Sequence, residues 1–192
     1  MRKFIKAAGV LAAAGILLTA VLPAATADTV DSTISGGSLT STTSGANLSG
    51  VTLDGTDKAA TGTSSSPWSI SDSRGTGQVW TLSVTATVPT SPAGTVETTA
   101  RTIPVSNLTI TPGTVTAGSG ADPVAGISAP ALAMSGSAQA LVTSGGANRG
   151  TYALTPTYSL AVPANTYRSN YTAAVGSTPL LPYVSTLTYT IS

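Results

Sequence analysis

The clearest pattern in the chain is an alternation of apolar and hydroxyl-bearing residues in two segments, residues 80–88 and 183–191. Alternation with a period of two is typical of a β-strand that buries one of its two faces. The apolar face of the first segment consists of Trp80, Leu82, Val84, Ala86 and Val88. Because the second segment ends the chain, we expect the last strand to join the first in one folded unit.

Shorter stretches show the same alternation and are separated by turn residues such as Gly, Pro, Asn and Ser. Residues 68–72 alternate, and residues 73–77 supply a turn, so we predict a β-hairpin that ends at residue 88. Apolar residues at even positions of the segment 152–162 predict another one-sided strand. Residues 132–142 suit either a strand or a short helix.

The composition supports strands throughout, because Thr, Val and Ser are abundant and no stretch after residue 27 has an apolar stripe at helical period with caps. Roughly seven to ten short strands without helices predict an all-β protein. The predicted architecture is an antiparallel β-sandwich with Greek-key-like connections, and a closed β-barrel is the alternative.

The first residues have the pattern of an export signal. Basic residues precede an apolar run from residue 7 to residue 22, and small residues follow it at Ala25 and Ala27. The run is shorter than the ~20 residues that span a bilayer. We therefore predict a signal peptide of residues 1–27, cleaved after Ala27, and a single domain of residues 28–192 that is secreted without a membrane anchor.

Charge and residue types narrow the possible functions. Five basic and seven acidic residues follow residue 27, a net charge of −2, which gives no basic surface for nucleic acid or anionic lipid. The chain has no Cys and no His, so the usual nucleophile, general base and soft metal ligands are missing. We expect a protein that is not an enzyme and that needs no cofactor or metal.

Two motifs resemble those of the WxL domain of Gram-positive surface proteins. The first is Trp80-Thr81-Leu82, which follows the turn-rich run of residues 70–77. The second is the segment 183–191, with the pattern Tyr-x-x-x-Leu-Thr-Tyr-Thr-Ile, which keeps the family's spacing but has Tyr189 and Ile191 where the family commonly has Trp and Leu. The chain is therefore similar to a divergent, WxL-like branch.

This resemblance implies a secreted, non-catalytic protein that attaches non-covalently to the cell wall, through peptidoglycan or another wall polymer, and that forms complexes with other surface proteins. The candidate ligand-binding residues are Trp80, Leu82, Asp72, Arg74, Tyr183, Leu187 and Tyr189. The alternative function is a self-assembling extracellular subunit of a filament or surface layer, joined by pairing of strand edges.

Each candidate also has a purely structural interpretation. Trp80 and Leu82 belong either to the core or to a groove in which the indole stacks on a sugar. Asp72 and Arg74 either stabilise a turn or place a guanidinium where it holds a peptide-stem carboxylate. A further polar loop, residues 163–171, carries Tyr167, Arg168 and Tyr171 as a second candidate patch.

Overall fold

Residues 30–192 are described by the structure, a computed structural model, and the predicted signal peptide lies outside these residues. Residues Ser35–Ser192 form one compact unit. The described residues contain one short 3₁₀-helix, Val105–Asn107, and short β-strands. The strands are β1 Leu39–Thr42, β2 Lys58–Thr63, β3 Trp68–Asp72, β4 Trp80–Ala86, β5 Thr90–Ser91, β6 Arg101–Thr102, β7 Leu108–Thr111, β8 Thr116–Ala117, β9 Ile127–Ser128, β10 Leu132–Ala133, β11 Gln139–Ser144, β12 Gly150–Leu154, β13 Thr157–Val162, β14 Asn170–Tyr171, β15 Leu180–Leu181 and β16 Leu187–Ile191.

The strands form three four-stranded sheets, with the orders β1-β3-β12-β8, β10-β7-β13-β2 and β16-β4-β11-β9. Two small ribbons, β5-β6 and β14-β15, complete the set. Every pairing is antiparallel. Each large sheet is open, with an edge strand on either side, so the predicted all-β, antiparallel sandwich class is confirmed and no described sheet closes on itself.

Strands that are neighbours in the sequence lie in different large sheets. No two consecutive strands pair within the three large sheets, so the chain changes sheet at most of its turns. The predicted hairpin of residues 68–88 is therefore wrong: β3 pairs with β1 and β12, whereas β4 pairs with β16 and β11. The turn between β3 and β4 carries the chain from one sheet to another, as Greek-key connections do.

The two alternating segments are direct neighbours. β16 pairs with β4 in the register Leu187↔Ala86, Tyr189↔Val84 and Ile191↔Leu82. Backbone bonds between Thr81 and Ser192 extend the pairing to the last residue. The end of the chain thus becomes the edge strand of the sheet that contains Trp80.

One hydrophobic core is shared by all three large sheets. Trp68 comes from the first sheet, Leu160 from the second and Leu82 from the third, and all three are buried. The ring of Trp68 also meets that of Tyr189 edge to face, with centroids 4.8 Å apart. Alternation places these residues inward because successive side chains of a strand point to opposite faces.

Segment 132–142, which suited a strand or a helix, contains the strand β10 and the first part of β11, with a bend between them. The pairing of β11 with β4 has a register shift between Ala140 and Val142, so that Leu141 and Val142 are both buried. A β-bulge of this kind explains why simple alternation fails here. Among the described residues, no helix has the length and apolarity needed to cross a membrane.

Candidate functional site

Trp80 and Leu82 lie in the core. Their exposed fractions are 1% and 0%, and the indole N–H of Trp80 donates a hydrogen bond to the carbonyl oxygen of Asn148 at 3.3 Å. The Trp80 ring lies against Tyr152, with centroids 6.2 Å apart. No face of the indole is left for a sugar, so of the two interpretations of this motif the structure supports the core.

Asp72 and Arg74 form a closed ion pair. The guanidinium Nε donates to one carboxylate oxygen of Asp72 at 3.0 Å and Nη2 donates to the other at 2.9 Å. Nη2 also reaches the carbonyl oxygens of Gln78 and Val79. The side chain of Asp72 is fully buried, and Arg74 holds the pKa of its carboxyl below the usual value. This geometry matches the turn-stabilising interpretation, because both groups are already satisfied.

The other three candidates, Tyr183, Leu187 and Tyr189, line an open apolar groove of about 1020 Å³. We call it the tyrosine groove because four tyrosine rings line it: Tyr158, Tyr167, Tyr183 and Tyr189. Its floor contains buried aliphatic residues of the second sheet, namely Ala60, Leu108, Leu160 and Val162. Its size is at the upper end of the ~300–1,000 Å³ typical of small-molecule sites.

The first wall of the tyrosine groove is the segment of residues 45–53. It is anchored at its start, where the carbonyl oxygen of Ser44 accepts hydrogen bonds from the indole of Trp68 and the hydroxyl of Tyr158, both at 2.9 Å. Further along, the Ser49 N–H donates to the Thr61 carbonyl at 2.8 Å and the Thr61 N–H donates to the Ser49 hydroxyl at 3.0 Å. The wall is therefore fastened to β2.

The second wall consists of residues 166–169 and 182–185. The hydroxyl of Tyr183 donates to the Tyr167 carbonyl at 2.7 Å and so joins the two segments. Behind the wall, Arg168 makes a two-pronged ion pair with Glu97, at 2.9 and 2.7 Å. The same carboxylate accepts the backbone N–H of Tyr171 at 2.8 Å. These bonds lower the pKa of Glu97 to about 2, chiefly through Arg168.

Apolar residues at the rim remain exposed to solvent. The exposed fractions are 65% for Tyr167, 57% for Val184 and 45% for Leu180, and all three line the tyrosine groove. Exposed apolar surface that is continuous with a cavity marks an interaction site more often than scattered single residues do. The rim is therefore the part of this groove that a ligand meets first.

Burial keeps the hydroxyls of three groove tyrosines neutral. Burial raises the pKa of Tyr158, Tyr183 and Tyr189, and for Tyr189 the hydrogen bond with Tyr158, at 3.3 Å, adds to the rise. Neutral phenols can donate and accept hydrogen bonds without attracting counterions. The groove thus suits a ligand that offers both apolar faces and hydroxyl or carbonyl groups.

The structure brings only part of the predicted site together. Tyr183, Leu187 and Tyr189 meet in the groove, while Trp80, Leu82, Asp72 and Arg74 do not line it. From the second candidate patch, Tyr167 and Arg168 line the groove, and the Arg168 guanidinium lies 4.2 Å from the centroid of the Tyr171 ring. The first wall was missed, and its weak apolar stripe at Leu48, Val51 and Leu53 was its only signal.

No protein-family model, curated protein or solved structure matches this chain. The fold and the site therefore define the protein only as an antiparallel all-β protein with one large apolar groove among its described residues. Within those residues, no three His, Cys, Asp or Glu side chains gather as a metal site would need.

Proposed function

We propose that this protein is an exported, non-catalytic attachment domain that binds a bacterial cell-wall glycan, peptidoglycan in the first instance, in the tyrosine groove. The observation that carries the proposal is the groove itself: about 1020 Å³, lined by four tyrosine rings and open to solvent along an apolar rim. Aromatic rings suit sugars because the C–H face of a pyranose packs on the π face while neighbouring hydroxyls form hydrogen bonds.

The WxL-like motifs support this function indirectly. Leu187 and Tyr189 of the second motif line the groove, and their strand pairs with the strand of Trp80 and Leu82. In this proposal the first motif holds the sheet in place and the second presents side chains to the ligand. A buried Trp80 is compatible with a role in binding that acts only through the fold.

Affinity in this groove would come from apolar and aromatic contacts and from backbone hydrogen bonds of the walls. Most charges of the described part are paired with one another, at Lys58–Asp54, Arg74–Asp72, Arg149–Asp122 and Arg168–Glu97. Since surface charges more than a Debye length apart are screened, binding that rests on packing persists at high salt. We expect attachment to purified wall to survive 1 M salt, where the Debye length is ~3 Å.

The experiment is sedimentation of the purified protein with purified cell wall, before and after removal of secondary polymers. The test variants are Tyr167→Ala and Leu180→Ser, both at exposed rim positions, and the control is Val175→Ser, which is 67% exposed and does not line the groove. We expect each rim variant to weaken binding about tenfold, with the fold unchanged by circular dichroism. Equal binding by all four proteins would reject the groove as the site.

Self-assembly is the second candidate, and one observation favours it. Val30 and Ile34, two positions of the same parity, are 97% and 93% exposed, and β16 has an open edge. A segment with such side chains is suited to adding a strand to another copy. Analytical ultracentrifugation without wall material tests this: oligomers that grow with concentration support it, and a monomer at all concentrations contradicts it.

A further inference from the structure

We propose that Arg101, whose guanidinium stacks on the rim residue Tyr167 of the tyrosine groove, is a specificity-determining residue that binds a carboxylate of the wall ligand. The inference rests on the proposed function and adds the chemical class of the group recognised there. The carboxylate-binding role that was considered for the guanidinium of Arg74 is thus assigned to the guanidinium of Arg101 instead.

Arg101 is the one basic side chain of residues 30–192 that lies outside an ion pair. The described residues contain five basic side chains, and four of them make ion pairs at 2.9 Å or less. Arg101 is the fifth, and among residues 30–192 its side chain forms no ion pair and no hydrogen bond that meets ordinary geometric limits. A guanidinium presents five N–H donors, and those of Arg101 form no hydrogen bond within the described residues, although the Glu97 carboxylate lies near enough for the Arg101 charge to lower its pKa.

Arg101 lies next to a lining residue of the groove. The Arg101 guanidinium carbon lies 4.2 Å from the centroid of the Tyr167 ring, and Tyr167 lines the groove while remaining 65% exposed. The positive charge of Arg101 also opposes the upward pKa shift of the Tyr183 hydroxyl, which places the charge close to the second wall. Stacking on an aromatic ring holds the planar fork in one orientation at little entropic cost.

The rest of the groove contrasts with Arg101. The floor contains aliphatic residues, and burial keeps the lining hydroxyls of Tyr158 and Tyr189 neutral. Arg168 also lines the groove but is paired with Glu97, so Arg101 is the cation left beside this surface to match a ligand with an uncharged ring system and a single acidic group. Muramyl residues and peptide stems of peptidoglycan carry carboxylates beside sugar rings, and a guanidinium binds carboxylate through two parallel hydrogen bonds.

Phosphate in secondary wall polymers is the other oxyanion that this residue could meet, so the wall preparations must separate the two sources. The probes are intact wall, wall stripped of phosphate-containing polymers, and stripped wall whose carboxyls have been converted to amides. We expect the protein to bind the first two equally and the amidated wall about tenfold more weakly. A loss on stripping with no effect of amidation would overturn the carboxylate assignment.

The variants are Arg101→Gln, Arg101→Lys and the control Arg149→Gln, which removes the same charge at a residue that is paired with Asp122 rather than stacked on the rim residue Tyr167. On stripped wall, we expect Arg101→Gln to bind about tenfold more weakly than wild type, with Arg101→Lys between them because it keeps the charge but loses the fork. Arg101→Gln should also bind amidated and stripped wall equally. Thermal unfolding is measured for every variant.

Salt supplies an independent readout. The difference between wild type and Arg101→Gln should shrink toward none at 1 M salt, while the remaining binding persists. If wild type binds all wall samples and Arg101→Gln binds them identically, the inference is wrong and the proposed function stands. If wild type binds no wall preparation at all, both are rejected.

Discussion

The carbonyl oxygen of Ser44 accepts hydrogen bonds from two buried rings, the indole of Trp68 and the phenol of Tyr158. Tyr158 continues the chain of contacts, since its hydroxyl lies 3.3 Å from that of Tyr189. Hydrogen bonds beside the groove thus join one loop residue, Ser44, to one residue from each large sheet, namely Trp68, Tyr158 and Tyr189. Removing one partner of such a hydrogen bond costs most stability when it leaves the other partner buried without a hydrogen bond.

The two tyrosines of this cluster should differ in their contribution to stability. Tyr158→Phe removes the bond to Ser44 and leaves the Tyr189 hydroxyl without its partner among the described residues, so we expect a loss of about 1–2 kcal/mol. Tyr189→Phe removes only the longer bond and should cost less than about 1 kcal/mol. Urea unfolding followed by tryptophan fluorescence measures both. Equal losses, or the reverse order, would contradict this account.

Single residues also show what the sequence can predict. Parity correctly put Trp80, Leu82 and Val84 on one face of a strand. Parity does not say whether another layer covers that face, and here Tyr152 of a different sheet lies against Trp80. Arg101 is the opposite case: nothing near it in the sequence distinguishes it from the four paired cations, because its neighbour Tyr167 is distant along the chain.

The first wall of the groove lies very close to β2 at Gly62. A Cβ added there would lie 2.5 Å from the carbonyl oxygen of Asn47, so the first wall of the groove can approach β2 only over a glycine. We expect Gly62→Ala to cost about 1–3 kcal/mol, because the wall must shift away. The control is Gly136→Ala, where no atom lies within 4 Å of the added Cβ, and its effect should stay within about 0.5 kcal/mol.

Chemical denaturation compares the two glycine variants, and binding to purified wall adds a second readout. A displaced first wall should weaken binding by Gly62→Ala in protein that is still folded at the assay temperature. Equal stability of Gly62→Ala and Gly136→Ala would show that the first wall does not rest on β2 as described.

Glu97 joins the loop before β6 to β14, and it makes stability depend on acid. Its folded pKa of about 2 lies below the ordinary 4.5, so between these values the unfolded chain binds a proton that the folded protein does not. The stabilising contribution is complete above pH 4.5 and is lost as the pH falls toward 2. Glu97→Gln should lower the melting temperature at pH 7 and flatten its fall between pH 4.5 and 2.

Asp72 and Asp122 also have lowered pKa values, each caused first by its arginine partner, so Glu97→Gln should reduce the acid dependence without removing it. The matched control is Asp122→Asn, which breaks the pair with Arg149 away from the groove. Differential scanning calorimetry across this pH range makes the comparison. If the melting temperature of Glu97→Gln falls with decreasing pH as steeply as that of wild type, the ion pair between Glu97 and Arg168 is not formed in solution.

At the scale of elements, the sequence predicts which segments are strands better than it predicts their partners. Three of the alternating segments appear as β3, β4 and β16, whereas the prediction of a single strand over residues 152–162 is wrong: this segment contains the end of β12 and all of β13, which lie in two different sheets. The predicted hairpin is wrong because the turn of residues 73–77 is compatible both with a reversal of the chain inside one sheet and with a change of sheet. Local turn chemistry fixes backbone dihedral angles, and the choice of sheet depends on core packing of distant residues.

At the scale of the whole molecule, the groove is formed by segments that lie far apart in the sequence. Its walls come from residues 45–53, 166–169 and 182–185, its floor comes from strands of the second sheet, and β16 of the third sheet also lines it. These segments converge because the chain changes sheet at successive turns. A composition of short alternating strands predicts an all-β class, but it carries no information about where two sheets diverge and leave a space.

We expect cooperative folding of the whole molecule to require the last strand, β16, and deleting this strand tests that expectation. Removing residues 187–192 deletes β16, uncovers the edge of β4 and removes Tyr189 from its packing on Trp68. Leu187, Tyr189 and Ile191 are partly buried against the core, and full burial of an aliphatic side chain contributes ~1.5–3 kcal/mol, against a total stability of ~5–15 kcal/mol for a typical domain. We therefore expect this truncated protein to lose cooperative unfolding.

The matched control starts the chain at Ser35, the first residue of the compact unit, and so removes the exposed Val30 and Ile34. It should unfold at the same temperature as the longer protein, because those side chains bury almost no surface. Near-ultraviolet circular dichroism and thermal melts measure both truncations. Cooperative melting without β16 would show that the core closes without the final strand, and the second motif would then serve the groove alone; a large loss on trimming to Ser35 would instead extend the folded unit toward the N-terminus.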